Sequence, residues 1–147
     1  MGATRGEWMR TTFWTIALTL LLAVAGCATG GERRDALQEM QYDYSAAVRW
    51  GDFEGAWNVV DPEYRKKHPM TELEFERYKQ IQVSGYTDLA SELSADGMQA
   101  RREIQIGVIN KHTMTERSIR YTELWRYDPA AKTWWITSGL PDFWAGM

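Results

Sequence analysis

The chain has 147 residues, a formal net charge of −3 and one cysteine. A mildly acidic chain without a basic stripe does not suit nucleic acid, and a lone cysteine cannot form an internal disulfide. Eight tryptophans and seven tyrosines in a chain of single-domain length point to an aromatic-rich core.

The opening MGATRGEWMR sets Arg5 and Arg10 against Glu7, and an apolar stretch then runs from Phe13 to Ala25. As a helix it would be about 20 Å long at 1.5 Å per residue, short of a bilayer core of about 30 Å. Its flanks fit a secretory signal peptide. Val24-Ala25-Gly26-Cys27 then sets small residues, which a peptidase site admits, before a thiol that can take a lipid. This tetrapeptide resembles the lipobox of bacterial lipoproteins. The resemblance implies cleavage between Gly26 and Cys27, a diacylglycerol on Cys27, and acylation of the new N-terminus. Ala28 is not the aspartate that holds such lipoproteins in the inner membrane. An anchor in the outer membrane facing the periplasm is therefore implied where the envelope has one. Two or three acyl chains anchor stably where one is marginal. The alternative is ordinary signal cleavage that leaves Cys27 a free thiol. The expected organisation is a signal over 1–26, lipidated Cys27 with a short tether over 27–31 (Thr29-Gly30-Gly31), and one domain over 32–147.

Residues 33–50 read as a helix, because Leu37, Met40, Tyr44, Ala47 and Val48 recur at three- and four-residue steps. Gly51 is a plausible stop. Asp52 can cap a second helix carrying Phe53, Ala56, Trp57 and Val60. DPEYRKKHP interrupts it, with Pro62 and Pro69 as punctuation. Thr71 and Glu74 offer a capping box for a third helix through Tyr78.

From about Ile81 the period changes to 2, and three long strands and a shorter fourth follow. Asp96-Gly97 reads as a two-residue hairpin turn in which Ala95 faces Met98. Ala100, Ile104, Ile106 and Val108 alternate on the second strand, and Ile119, Tyr121, Trp125 and Tyr127 on the third. Polar residues occupy the opposite positions, so one face is covered and one is wet. DPAAKT closes the last hairpin, and Trp134 and Ile136 begin the inner face of the fourth strand. Helices followed by an antiparallel sheet make an α+β domain. The order of a long helix, two short ones and a meander ending in TWWITSG resembles the NTF2-like (cystatin-like) superfamily. That resemblance covers nearly all of the mature chain. It implies a cone, in which about four curved antiparallel strands wrap the first helix, sometimes with a pocket at the open end.

In antiparallel pairing the numbers of facing residues add to a constant. The first turn pairs Leu89 with Ile104, Ser91 with Arg102 and Leu93 with Ala100. A loop over Lys111–Met114 pairs Asn110 with Thr115, hence Ile104 with Tyr121, Arg102 with Glu123 and Ala100 with Trp125. The last hairpin places Trp125 by Ile136 and Glu123 by Ser138. Ser91, Arg102, Glu123 and Ser138 thus form a polar row on the covered face, between apolar rows that include Tyr121 and Trp125. Glycines such as Gly85 or Gly107 are candidate bulge markers that would shift part of this register. The row is either an internal salt bridge with serine neighbours or a pocket in which Arg102 meets a carboxylate or phosphate and Glu123 holds it. A catalytic use of Glu123 with Tyr121 is disfavoured, because the arginine beside it favours the ionised, weakly basic carboxylate and so anchoring.

His68 and His112, the two histidines, lack a second ligand at metal spacing. No nucleophile elbow, P-loop or dinucleotide fingerprint occurs. No cofactor, metal or catalytic residue is therefore assigned. Phe143 and Trp144 in the closing SGLPDFWAGM either pack as a lid over the edge of the cone or serve as a partner anchor. The leading expectation is a non-enzymatic envelope lipoprotein, held to the membrane by its lipid, that binds another envelope protein or itself. The alternatives are an anionic or amphipathic ligand in the cone and, behind it, an isomerase- or dehydratase-like activity.

Overall fold

The computed structural model describes residues 30–145. The expected signal segment, Gly26 and Cys27 lie outside the described residues. The chain divides into two compact units, Met1–Asp35 and Ala36–Met147. The second carries the sheet.

Residues 30–50 are helical (α1). Gly30 and Gly31, expected as tether, are helical, although glycine costs a helix about 1 kcal/mol each. The helix stops at Gly51, whose φ is +75°. The N–H of Gly51 bonds the carbonyl of Val48, and that of Asp52 the carbonyl of Ala47, so the last carbonyls are satisfied in a Schellman closure. Asp52 then caps α2 (Phe53–Asn58) through the N–H of Gly55 at 2.8 Å.

The stretch expected to be an interruption is a helix, α3 (Pro62–Lys67). Asp61 caps it, accepting from the N–H groups of Glu63 and Tyr64. Pro62 stands at the first helical position, where its missing N–H costs nothing and its fixed φ helps. The proline marks a helix start. Thr71 and Glu74 form the capping box of α4 (Glu72–Tyr78) as the spacing predicts.

Four antiparallel strands follow in spatial order β1-β2-β3-β4: Ile81–Leu93, Gln99–Asn110, Glu116–Asp128 and Thr133–Ile136. The β2–β3 and β3–β4 registers are those predicted, with Ile104 opposite Tyr121, Arg102 opposite Glu123 and Trp125 opposite Ile136. The β1–β2 turn differs in type. Ser94 N–H bonds Gln99 carbonyl, and Gly97 N–H bonds Ser94 carbonyl, so the loop holds four residues. Gly97 has positive φ, at +66°, and Asp96 does not. Both turns give the same sum, so Ser91 still faces Arg102 and Leu93 still faces Ala100.

Beyond Ser91 the ladder shifts twice, between Asp88 and Ala90 and between Val83 and Gly85. Leu89 is the extra residue of the first bulge. It is 46% exposed and does not meet Ile104, which pairs with Asp88. Each bulge reverses which side chains face inward. The two together turn Asp88 and Tyr86 inward, then restore Val83 and Ile81 opposite Val108 and Asn110.

The covered face carries the core. Ile104, Ile106, Val108, Trp125, Trp134 and Ile136 are buried there with Tyr44 and Val48 of α1, Phe53 and Ala56 of α2, and Phe143. Gln99, Arg101, Gln105 and Arg120 occupy the water-facing side.

Candidate functional site

The centre of the covered face holds a fully buried carboxylate. Glu123 has no exposed surface. The guanidinium of Arg102 grips it with two prongs, Nε to Oε2 and Nη2 to Oε1, both 2.9 Å. Trp125, two residues along and therefore on the same face, donates its Nε1–H to Oε2 at 2.8 Å. Tyr86, turned inward by the Leu89 bulge, donates its hydroxyl to Oε1. Four donors thus fill the acceptor sites of one carboxylate, the condition under which a buried charge is tolerated. Asp88 lies 3.6 Å from Nη1 of Arg102 at the rim. Burial opposes the charge on Arg102, and Glu123 outweighs it, so the guanidinium is held more firmly protonated than usual.

A second node sits beside it. Tyr121 donates to the carbonyl of Gly139 at 2.6 Å, and the Tyr44 hydroxyl lies 3.0 Å from the Tyr121 oxygen. Ser138 reaches the same oxygen at 3.2 Å and accepts the N–H of Leu124. Burial pushes the phenols of Tyr44, Tyr86 and Tyr121 well up. Gly139, with φ +74°, turns the chain off the sheet just after β4. A β-carbon there would stand 2.7 Å from the Tyr64 hydroxyl.

The expected row is therefore shorter than predicted. Arg102 and Glu123 meet as placed. Ser91 stands opposite Arg102 in the ladder but is exposed. Ser138 joins the tyrosine node instead of Glu123, because β4 ends at Ile136 and the Gly139 turn redirects the chain. Tyr121 and Trp125 are inward-facing and buried. Of the two readings of the row, the geometry at Glu123 matches the internal salt bridge, since the carboxylate has no exposed surface and Arg102 is bound to it. Tyr86 and Asp88 were not legible as partners, since plain alternation turns both outward; the glycine pair Gly85–Gly107 at the second bulge was the available signal.

Of the two expected roles, Phe143 packs inward as part of the core and does not offer a partner surface. It is fully buried, with ring contacts to Phe53 at 5.7 Å and Tyr78 at 5.5 Å. Trp144 is half-buried against Tyr78, with the Arg77 guanidinium 4.0 Å above its ring. It lines an open cleft of about 420 Å³ with Trp57, Tyr64 and Tyr78. On α1, Trp50 is 86% and Tyr42 72% exposed. His68 stacks on Tyr64 at 4.4 Å. Among the described residues no cluster of three His, Cys, Asp or Glu is placed to hold a metal ion. Among them also, no helix is long and apolar enough to cross a membrane.

No protein-family model matches the sequence, and no curated protein matches it. The fold is similar to solved structures. One is a SEC-C motif containing protein from Rhodopseudomonas palustris, at 17% identity and a TM-score of 0.52, covering 67% of this chain and 72% of that one. Another is a SEC-C motif containing protein from Psychrobacter arcticus, at 11% identity and a TM-score of 0.54. That match covers 77% of this chain and 62% of the other, less than two thirds of its length. At such identities the likeness is one of fold, an α+β domain built on an antiparallel four-stranded sheet.

Proposed function

We propose that this chain is an exported envelope lipoprotein, anchored through Cys27, whose domain follows the NTF2-like plan and acts by binding another envelope protein or a second copy of itself. The lipobox-like Val24-Ala25-Gly26-Cys27 after its apolar run supports the anchor. One long helix, short helices and a bulged meander support the NTF2-like plan. The state of Glu123 carries the non-catalytic reading. A carboxylate held by four donors and closed to solvent is not free to move a substrate proton, and Arg102, committed to it, is not free to take an anion. What the surface does offer is aromatic: Trp50, Tyr42 and Trp144, residue types enriched at interface hot spots.

The test is expression in a bacterial host fed labelled palmitate. Label and membrane association are expected in the parent and lost in Cys27→Ser; an unlabelled parent overturns the anchor. Crosslinking followed by pull-down from membranes is expected to recover a partner or a homo-oligomer, weakened by Trp50→Ala or Trp144→Ala. Reproducible recovery as a lone monomer overturns the binding role while leaving the anchor standing.

A further inference from the structure

We propose that a small pocket at the β2–β3 hairpin end of the covered face binds a short aliphatic carboxylic acid as its anion, with Arg117 as the charge contact. The pocket has a volume of about 210 Å³. Its floor is apolar: Ile81 is 5%, Val108 1% and Phe143 0% exposed. Arg117 stands opposite Val108 in the ladder, which puts it on the covered side, and it lines the same pocket. Its Nη1 donates to the carbonyl of Ala145 at 3.2 Å. Its Nη2 is buried and meets no hydrogen-bond partner.

This arginine contrasts with Arg102, whose guanidinium is matched to an internal carboxylate. A guanidinium stays charged at any physiological pH, and a buried N–H of a charged group left without an acceptor is costly. Among the described residues lining the pocket none is acidic, so none of them offers this guanidinium a carboxylate. An oxyanion is the acceptor that suits a guanidinium edge. The floor decides which one. Three buried hydrocarbon side chains beneath the cation favour an anion with an apolar tail over a phosphate. The rim adds Thr113 and Thr115. Thr113 Oγ1 accepts the N–H of Thr115 at 3.4 Å, which leaves its own proton to donate. Asn110 Oδ1 fixes the loop by accepting from the N–H groups of His112 and Thr113. The volume equals that of about seven liquid waters, room for a carboxylate with a chain of a few carbons.

The experiment is calorimetric titration of the full chain with sodium pentanoate, alongside pentan-1-ol and inorganic phosphate. Saturable one-site binding of pentanoate is expected, at least tenfold tighter than of either control, and weakened at least tenfold by Arg117→Met. Thr115 is an exposed rim residue, so Thr115→Trp blocks the mouth without touching the cation. It is expected to abolish binding while circular dichroism stays unchanged. Absence of saturable pentanoate binding to the folded parent overturns the proposal, and so does phosphate binding as tightly as pentanoate. If Arg117→Met fails to fold, Thr115→Trp decides, and undiminished binding in that variant overturns the assignment.

Discussion

Arg102 and Glu123 are joined side-on by two 2.9 Å hydrogen bonds, with Glu123 wholly buried and the Arg102 side chain 12% exposed. Forming such a pair costs desolvation of both ions, so its presence is not itself a net gain. Removing one partner is a different matter, because the other charge is then buried alone. Arg102→Met is expected to cost about 3–5 kcal/mol in urea unfolding. Adding Glu123→Gln removes the orphaned charge; with its amide oxygen at the Oε2 position it keeps the acceptor for Trp125, and its NH2 can donate to the Tyr86 hydroxyl oxygen. The double variant should therefore recover more than about 1 kcal/mol of that loss. An Arg102→Met midpoint equal to the parent's would mean that the fold does not need the pair.

Four phenols set an alkaline limit. Burial is the main cause that raises the ionisation of Tyr44, Tyr78, Tyr86 and Tyr121, and for Tyr86 the neighbouring Glu123 carboxylate adds to it. Unfolded tyrosine ionises near pH 10. A folded value above that means that the stability is complete below pH 10 and falls as pH rises beyond it, since only the unfolded chain readily releases the protons. The 295 nm tyrosinate absorbance of these four phenols should therefore appear together with the loss of near-ultraviolet circular dichroism, in one cooperative step above pH 10. Smooth titration of all seven tyrosines in a still-folded protein would contradict the burial.

Asp61 sets the acid side. Burial opposes its ionisation, but the Arg126 guanidinium and the N–H groups of Glu63 and Tyr64 outweigh that and hold the carboxyl below its ordinary 3.8. The folded value is the lower one, so this contribution is present above the unfolded value and is lost as pH falls from there through the folded one. Arg126 is 42% exposed, which keeps the ion-pair part to about 1 kcal/mol or less. Asp61→Asn retains a good cap and removes the titration. Its stability should fall short of the parent's at pH 6, and the gap should shrink as pH falls below the ordinary 3.8. Parallel pH profiles for the two proteins would remove Asp61 from the acid limb.

The parts of this fold that were legible in the sequence are those set by local chemistry. The Gly51 stop, the Asp52 cap, the Thr71–Glu74 box and the alternation on β2 and β3 each depend on residues close in sequence. The registers followed because a hairpin fixes a sum, and that sum survives an error in turn type, as at Asp96-Gly97. What escaped was long-range. Whether Pro62 breaks or begins a helix depends on Asp61 being free to cap, and Asp61 is itself held by Arg126 from β3. The bulges in β1 answer to a buried carboxylate on a strand two places away, which needs the donor that Tyr86 supplies. The Arg102–Glu123 pair could be drawn from register arithmetic, but the closure of the site could not, because it depends on which way Tyr86 faces.

Leu89 gives the sharpest test of that long-range choice. Regular alternation from Ser91 would place it inside, packed on Ile104. In the folded chain it is the bulge residue, 46% exposed, while Ile104 is fully buried. Leu89→Lys should therefore change stability by no more than about 0.5 kcal/mol, the range of ordinary surface substitutions. Ile104→Ala should cost about 2–5 kcal/mol, the transfer and cavity terms of a core truncation. Urea midpoints of the two variants decide between the geometries. If Leu89→Lys is as damaging as Ile104→Ala, the strand is unbulged at this point. Tyr86 would then face away from Glu123, and the carboxylate would be short of a donor on the side where a substrate could reach it.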